Sequence, residues 1–152
     1  MDALYQEIIL DHYRNPVGRG LREPYEAEVH HINPTCGDEI TLRVHLVGSG
    51  DEATVADISY DNQGCSISQA SASVMYELLM NRTVAEGMAT HEQFLALMQS
   101  ATADVEPDED LLGDAMAFAG VAQYPARVKC ALLAWMAWKD AVAQAQSDGG
   151  EG

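Results

Sequence analysis

Basic side chains are scarce in this sequence: 8 lysines and arginines stand against 24 aspartates and glutamates, a formal net charge of −16. Nucleic-acid affinity rests largely on cations that neutralise phosphates, so DNA and RNA are excluded as partners and an anionic membrane surface is disfavoured. A basic patch on a protein partner is allowed, with charge speeding the encounter more than setting the affinity. Long apolar runs are missing too. The longest, Cys130 to Trp138, has nine residues, too few for a helix to cross a bilayer. No signal-peptide pattern opens the sequence, because Met1 to Glu7 is acidic where such a peptide is basic. A soluble, cytoplasmic protein is the expectation. Cysteine is limited to three, an odd count that makes a poor disulfide framework in a reducing compartment. Metal binding, thiol chemistry or burial as small hydrophobes remain for them.

What is present suffices for one packed domain: 152 residues, 47% hydrophobic and 21% charged. Leu4, Ile8 and Ile9 are spaced for a helix that stops at Asn15-Pro16, where the residue before proline resists the α region. Three strands are then expected. Tyr25 to Ile32 is weakly patterned, whereas Ile40, Leu42, Val44 and Leu46 alternate strictly with polar residues. Gly48 to Asp51 is a plausible turn into Val55 to Tyr60, although Val55 falls on the polar side of that alternation. From Cys65 the period becomes helical through Leu79. Thr90 with Gln93 is a candidate capping box for a helix carrying Phe94 and Leu97. A third helical pattern runs through Leu111, Ala115 and Ala119, and Pro125 opens a last helix through Val142. Strands first and helices afterwards predict an α+β fold, with one domain over 1–146 and a disordered acidic tail over 147–152.

Cys36 lies in the turn-forming Asn33-Pro34-Thr35-Cys36-Gly37-Asp38, just before the best strand. Cys65 lies where the last strand gives way to a helix, and Cys130 lies early in the final helix. Element ends are where ligands converge, and Asp38 can turn a carboxylate toward the same point as Cys36. Three thiolates and one carboxylate complete a tetrahedral zinc shell, sulfur selecting zinc or iron over magnesium or calcium. Such a centre carries a formal charge of about −2. Arg127, three residues before Cys130, is placed to offset it. Cys130 alone could equally be core, given its neighbours Val128, Ala131 and Leu132.

These residues carry a family pattern. Ile9 to Pro16, Asn33 to Asp38, Gly64-Cys65-Ser66-Ile67-Ser68 and Arg127-Val128-Lys129-Cys130 together resemble the IscU/SufU group of iron–sulfur cluster assembly proteins, over nearly the whole chain. The resemblance implies a three-stranded antiparallel sheet covered by helices, an IscU/SufE-like fold. It also implies a partnership with a pyridoxal-phosphate cysteine desulfurase of the SufS type, with downstream Suf scaffold proteins beyond it. Cys36 is then the sulfur acceptor, assisted by Arg127, and Cys36, Asp38, Cys65 and Cys130 are the zinc ligands. Two departures point to the SufU branch. Scaffolds of the IscU type carry a histidine where Lys129 stands, and a Leu-Pro-Pro-Val-Lys motif that Tyr124 to Val128 does not reproduce.

A zinc-dependent sulfurtransferase is therefore the leading expectation. The alternatives are a scaffold holding iron or a [2Fe–2S] cluster on the same ligands, and a binding module with a purely structural zinc. The five histidines are expected to be structural or solvated; His30 and His31, being adjacent in a strand, point to opposite faces. Trp135, Met136 and Trp138 are expected in the core. Asp104 to Asp110 lacks calcium-loop spacing and reads as a solvated connection.

Overall fold

The computed structural model of the chain describes residues 3–35, 37–99 and 107–150. The chain begins with helix α1 (Ala3–Arg14) and continues into strands β1 (Ala27–Asn33), β2 (Asp38–Val47) and β3 (Thr54–Gln63). Helices α2 (Ser66–Leu79), α3 (Val84–Met98) and the single turn α4 (Glu109–Leu112) follow. A 3₁₀ segment (Gly113–Gln123) and the long helix α5 (Pro125–Gly150) complete it. The strands form one antiparallel sheet in the order β1-β2-β3. The expected α+β architecture is thus present: helices cover one face of a three-stranded meander.

The alternation of β2 explains the layering. Ile40, Leu42 and Val44 are buried, while Thr41, Arg43 and His45 between them are only partly so. Successive strand side chains alternate faces, so one face packs on α5 and α2 and the other meets solvent. The same alternation carries Asp38 inward, to zero exposure. On β1 it carries Asn33 inward, opposite Asp38 in the register.

Val55 is fully buried, against its expected place on the polar side. The cause is a break in the β2–β3 ladder: His45 pairs with Asp57, but Leu46 pairs with Val55, leaving Ala56 as the extra residue of a bulge. A bulge turns the strand over, so Val55 regains the face of Ile58 and Tyr60.

Three helical expectations need correction. The capping box sits at Thr83 and Glu86, not at Thr90 and Gln93: the Glu86 N–H donates to the Thr83 hydroxyl at 3.1 Å and the Thr83 N–H to the Glu86 carboxylate at 3.0 Å. The Val84 N–H donates to the Ala53 carbonyl at 2.8 Å, fixing the helix start there. Thr90 is interior, its hydroxyl turned back on the Glu86 carbonyl. The third helical pattern is broken at Gly113, whose φ of +48° ends α4 after one turn and hands the chain to the 3₁₀ segment. Finally, α5 runs to Gly150, past residue 146 where the disordered tail was expected to begin. Each residue added to an established helix gains a backbone bond, which carries it through Ser147.

The core is aromatic at its centre. Trp135 and Trp138 of α5 are both fully buried, as expected of core residues, whereas Met136, expected with them, is 42% exposed because its place on the helix turns it off that face. Phe94 stacks on Trp135 with centroids 4.4 Å apart and meets Phe118 edge-on at 5.9 Å. Trp135 also donates its indole N–H to the Ser71 hydroxyl at 3.0 Å, and Ser71 donates to the Ala131 carbonyl at 2.6 Å. These bonds lock α2 against α5 one residue from Cys130. Among the described residues no helix is long and apolar enough to cross a membrane.

Candidate metal centre

Asp38 opens β2 on the core side of the sheet, where an unpaired carboxylate is costly. Its Oδ1 accepts the backbone N–H of Cys65 at 3.0 Å, and its Oδ2 lies 4.0 Å from Cys65 Sγ. Cys65 is the N-cap residue of α2. Its sulfur therefore sits at the positive end of that helix, beside an anionic group. Gly64 makes this approach possible. Its φ is +149°, and a β-carbon there would stand 2.2 Å from Asp38 Oδ1 and 2.7 Å from the Ser68 hydroxyl.

Cys130 enters from α5. Pro125 occupies the first helical position, where its missing N–H costs nothing, and Cys130 follows within the second turn. The side chain is buried, its Sγ 3.7 Å from the Ala126 carbonyl and 3.9 Å from the Asn33 amide nitrogen. Asn33 thus donates toward the sulfur from the strand end opposite Asp38, as groups behind metal ligands commonly do.

Three of the four expected ligands converge: Asp38, Cys65 and Cys130 each offer a donor atom, all within 4.8 Å of one another. Cys36 lies outside the described residues. Its neighbours form a turn in which the Gly37 N–H donates to the Asn33 carbonyl at 2.9 Å and Thr35 N–H to the Asn33 side chain at 3.3 Å. Gly37 takes φ +71° with open space around its α-carbon. The donor set fits zinc: two sulfurs and a buried carboxylate, on three different elements, make a soft anionic pocket that a divalent cation neutralises.

Arg127 is exposed on the first turn of α5. It lines a cavity of about 180 Å³ with Ile67, Val121 and Tyr124, next to the start of α2. The histidines stay away from the donor set. His30 bonds Thr41 on the wet face, His31 bonds Asp140 of α5, and His45 bonds Glu26. His30 and His31 do take opposite faces. Sequence reading missed Asn33 and the close packing at Gly64; only the motif positions beside the cysteines signalled them.

Known proteins resemble this chain in sequence and in fold. Residues 4–131 match the model of the NifU-like N terminal domain. The chain belongs to that family. It is 38% identical over 145 residues to the zinc-dependent sulfurtransferase SufU of Bacillus subtilis, covering 95% of this chain and 92% of that one. It is 37% identical to the iron–sulfur cluster assembly scaffold protein IscU of Streptococcus pyogenes, over 93% of this chain and 84% of that one. The crystal structure of a candidate SUF-system scaffold from Fervidobacterium islandicum superposes with a TM-score of 0.75 at 32% identity, covering 88% of this chain and 92% of that one. A NifU-like N-terminal structure from Brucella abortus, at 23% identity and a TM-score of 0.83, covers 94% of both chains and shares the fold. The IscU/SufU resemblance is thereby established as family membership.

Proposed function

We propose that this chain is a zinc-dependent sulfurtransferase that accepts persulfide sulfur from a pyridoxal-phosphate cysteine desulfurase of the SufS type, and passes it to downstream Suf scaffold proteins in the cytoplasm. The observation that carries the reading is the convergence of Asp38, Cys65 and Cys130 within 4.8 Å, with Cys36 two residues from Asp38 in sequence. Cys36, Asp38, Cys65 and Cys130 hold the zinc, which when bound supplies the Lewis acidity that keeps the thiolates deprotonated and unreactive.

Cys36 is the acceptor. Its thiolate attacks the outer sulfur of the desulfurase persulfide, forming a new S–S bond on Cys36 and releasing the desulfurase cysteine as thiolate. No oxidant is consumed. Gly37 supports this role with its positive φ and open surroundings, freedom that the helix around Cys130 lacks. Asp38 is held by the Cys65 N–H, which would keep its carboxylate available to a metal independently of Cys36. Arg127 presents a guanidinium beside the cavity at the start of α2, where it attracts the anionic sulfur donor.

Adding the chain to a cysteine desulfurase with cysteine should raise the rate of alanine release, and the Cys36→Ser variant should not. Equal rates with and without the chain would refute the reading. The scaffold alternative draws support from the IscU relative and predicts a stable iron–sulfur chromophore instead.

A further inference from the structure

One residue bonds both to the cysteine site and to the turn in front of it. Asn33 ends β1, is buried, and stands opposite Asp38 in the register. Its amide nitrogen lies 3.9 Å from Cys130 Sγ, within hydrogen-bond reach of so large an atom. Its amide oxygen accepts the Thr35 N–H at 3.3 Å, and its backbone carbonyl accepts the Gly37 N–H at 2.9 Å. These last two donors flank Cys36 in sequence.

The turn dictates which way the amide faces. Pro34 has no N–H, so Thr35 is the first backbone donor after Asn33, and a donor requires the amide oxygen. The nitrogen is then left toward Cys130, whose sulfur as a thiolate can only accept. The opposite flip would set N–H against N–H and oxygen against thiolate. A hydrogen bond to a charged acceptor is stronger than one between neutral groups, and stronger again where water is excluded. Cys130 is buried, so both conditions hold there. Cys65 differs: it is only half-buried, and among the described residues its sulfur meets the Asp38 carboxylate and no N–H.

We propose that Asn33 is the positioning residue that anchors Cys130 on the metal, and that the same residue shapes the turn from which sulfur is accepted. The proposal rests on the zinc-bound sulfurtransferase reading above and makes the sulfurs unequal. An N–H donor pins the direction of the thiolate and draws on its lone pair, so Cys130 is the weaker nucleophile and the better anchored ligand. Sulfur transfer opens the shell at one ligand, and the Asn33 amide holds another in place meanwhile.

Two variants of the full chain separate the amide's two bonds. Asn33→Leu keeps the volume and loses both. Asn33→Ser keeps a hydroxyl able to accept the Thr35 N–H but too short to reach the sulfur. With cobalt(II) on the cysteine site, both should move the sulfur-to-cobalt charge-transfer band to longer wavelength, because sulfur electrons relieved of an N–H are easier to remove. Band position does not depend on how much of the protein folds, so it also judges a destabilised variant. Both should bind zinc at least about ten-fold more weakly, the loss that a group behind a metal ligand typically causes. Asn15→Leu, exposed just past α1, should match the parent in both measurements. With a cysteine desulfurase and cysteine, the two Asn33 variants should shed more zinc per persulfide formed than the parent does. A parental band and parental affinity in Asn33→Ser would overturn the proposal, since the turn alone would then account for the residue. A parent that takes up no persulfide would refute the sulfurtransferase reading instead, while band and affinity still decide whether Asn33 anchors Cys130.

Discussion

The backbone N–H of Cys65 donates to the Asp38 carboxylate at 3.0 Å, joining the start of α2 to the start of β2 at the donor set itself. One buried carboxylate therefore does two things: it caps the approach to a helix and presents its second oxygen beside a cysteine sulfur. The sheet register holds Asp38 there whether or not a metal is bound, because Asn33 pairs with it across β1 and β2.

Removing that carboxylate should weaken the site more than the fold. Asp38→Ala is expected to purify with well under one zinc per chain and to regain a near-parental melting temperature in excess zinc. Elemental analysis and melting curves check this. Parental zinc affinity in the variant would place Asp38 outside the metal's ligands.

Gly64→Ala probes the same contact from the other side. A β-carbon 2.2 Å from Asp38 Oδ1 forces the carboxylate away, and φ +149° adds a strain of about 1–3 kcal/mol. The expected outcome is a lower melting temperature together with loss of zinc. A variant that is destabilised but keeps full zinc affinity would show that the contact matters only to folding.

Arg127→Ala should leave zinc content unchanged, since the side chain is exposed and lines the neighbouring cavity. Sulfur uptake should slow, and Arg127→Lys should restore it only in part because lysine lacks the planar fork. Steady-state kinetics with a cysteine desulfurase decide the matter: parental rates in both variants would return Arg127 to the surface.

The pH dependence of stability should carry the mark of His91. This residue is 2% exposed, and its Nε2 has no hydrogen-bond partner among the described residues. Burial, chiefly, and then Lys139 push its pKa below the ordinary histidine value. The folded chain thus keeps His91 neutral while the unfolded chain takes up a proton near pH 6.5. Its contribution is present above that pH and is lost as pH falls toward the lower folded-state pKa. His91→Phe, stacked in the same place beside Trp138, should flatten the fall in melting temperature between about pH 7 and 5. Parallel curves for parent and variant would contradict this.

Much of the fold was legible because β2 alternates cleanly and its pattern runs through to Asp38. The convergence of Asp38, Cys65 and Cys130 was legible because they sit at or near element ends, in short motifs. Val55 was not, because a one-residue bulge at Ala56 depends on which β2 residues face it. The start of α3 was missed because Thr83-Glu86 and Thr90-Gln93 both place a glutamate or glutamine three residues after a threonine, and the contact with Ala53 chooses between them. The Gly64–Asp38 approach joins residues 26 apart in sequence, and His12 meets Asp114 across 102 residues. Neither has a local signature.

The central claim is that Cys36 is the residue that accepts sulfur. Peptide mapping by mass spectrometry, after incubation of the zinc-loaded chain with a cysteine desulfurase and cysteine, tests it most directly. The account predicts a persulfide on Cys36, none on Cys65 or Cys130, and zinc still bound. A persulfide on Cys65 or Cys130, or an iron–sulfur chromophore with no persulfide at all, would contradict it.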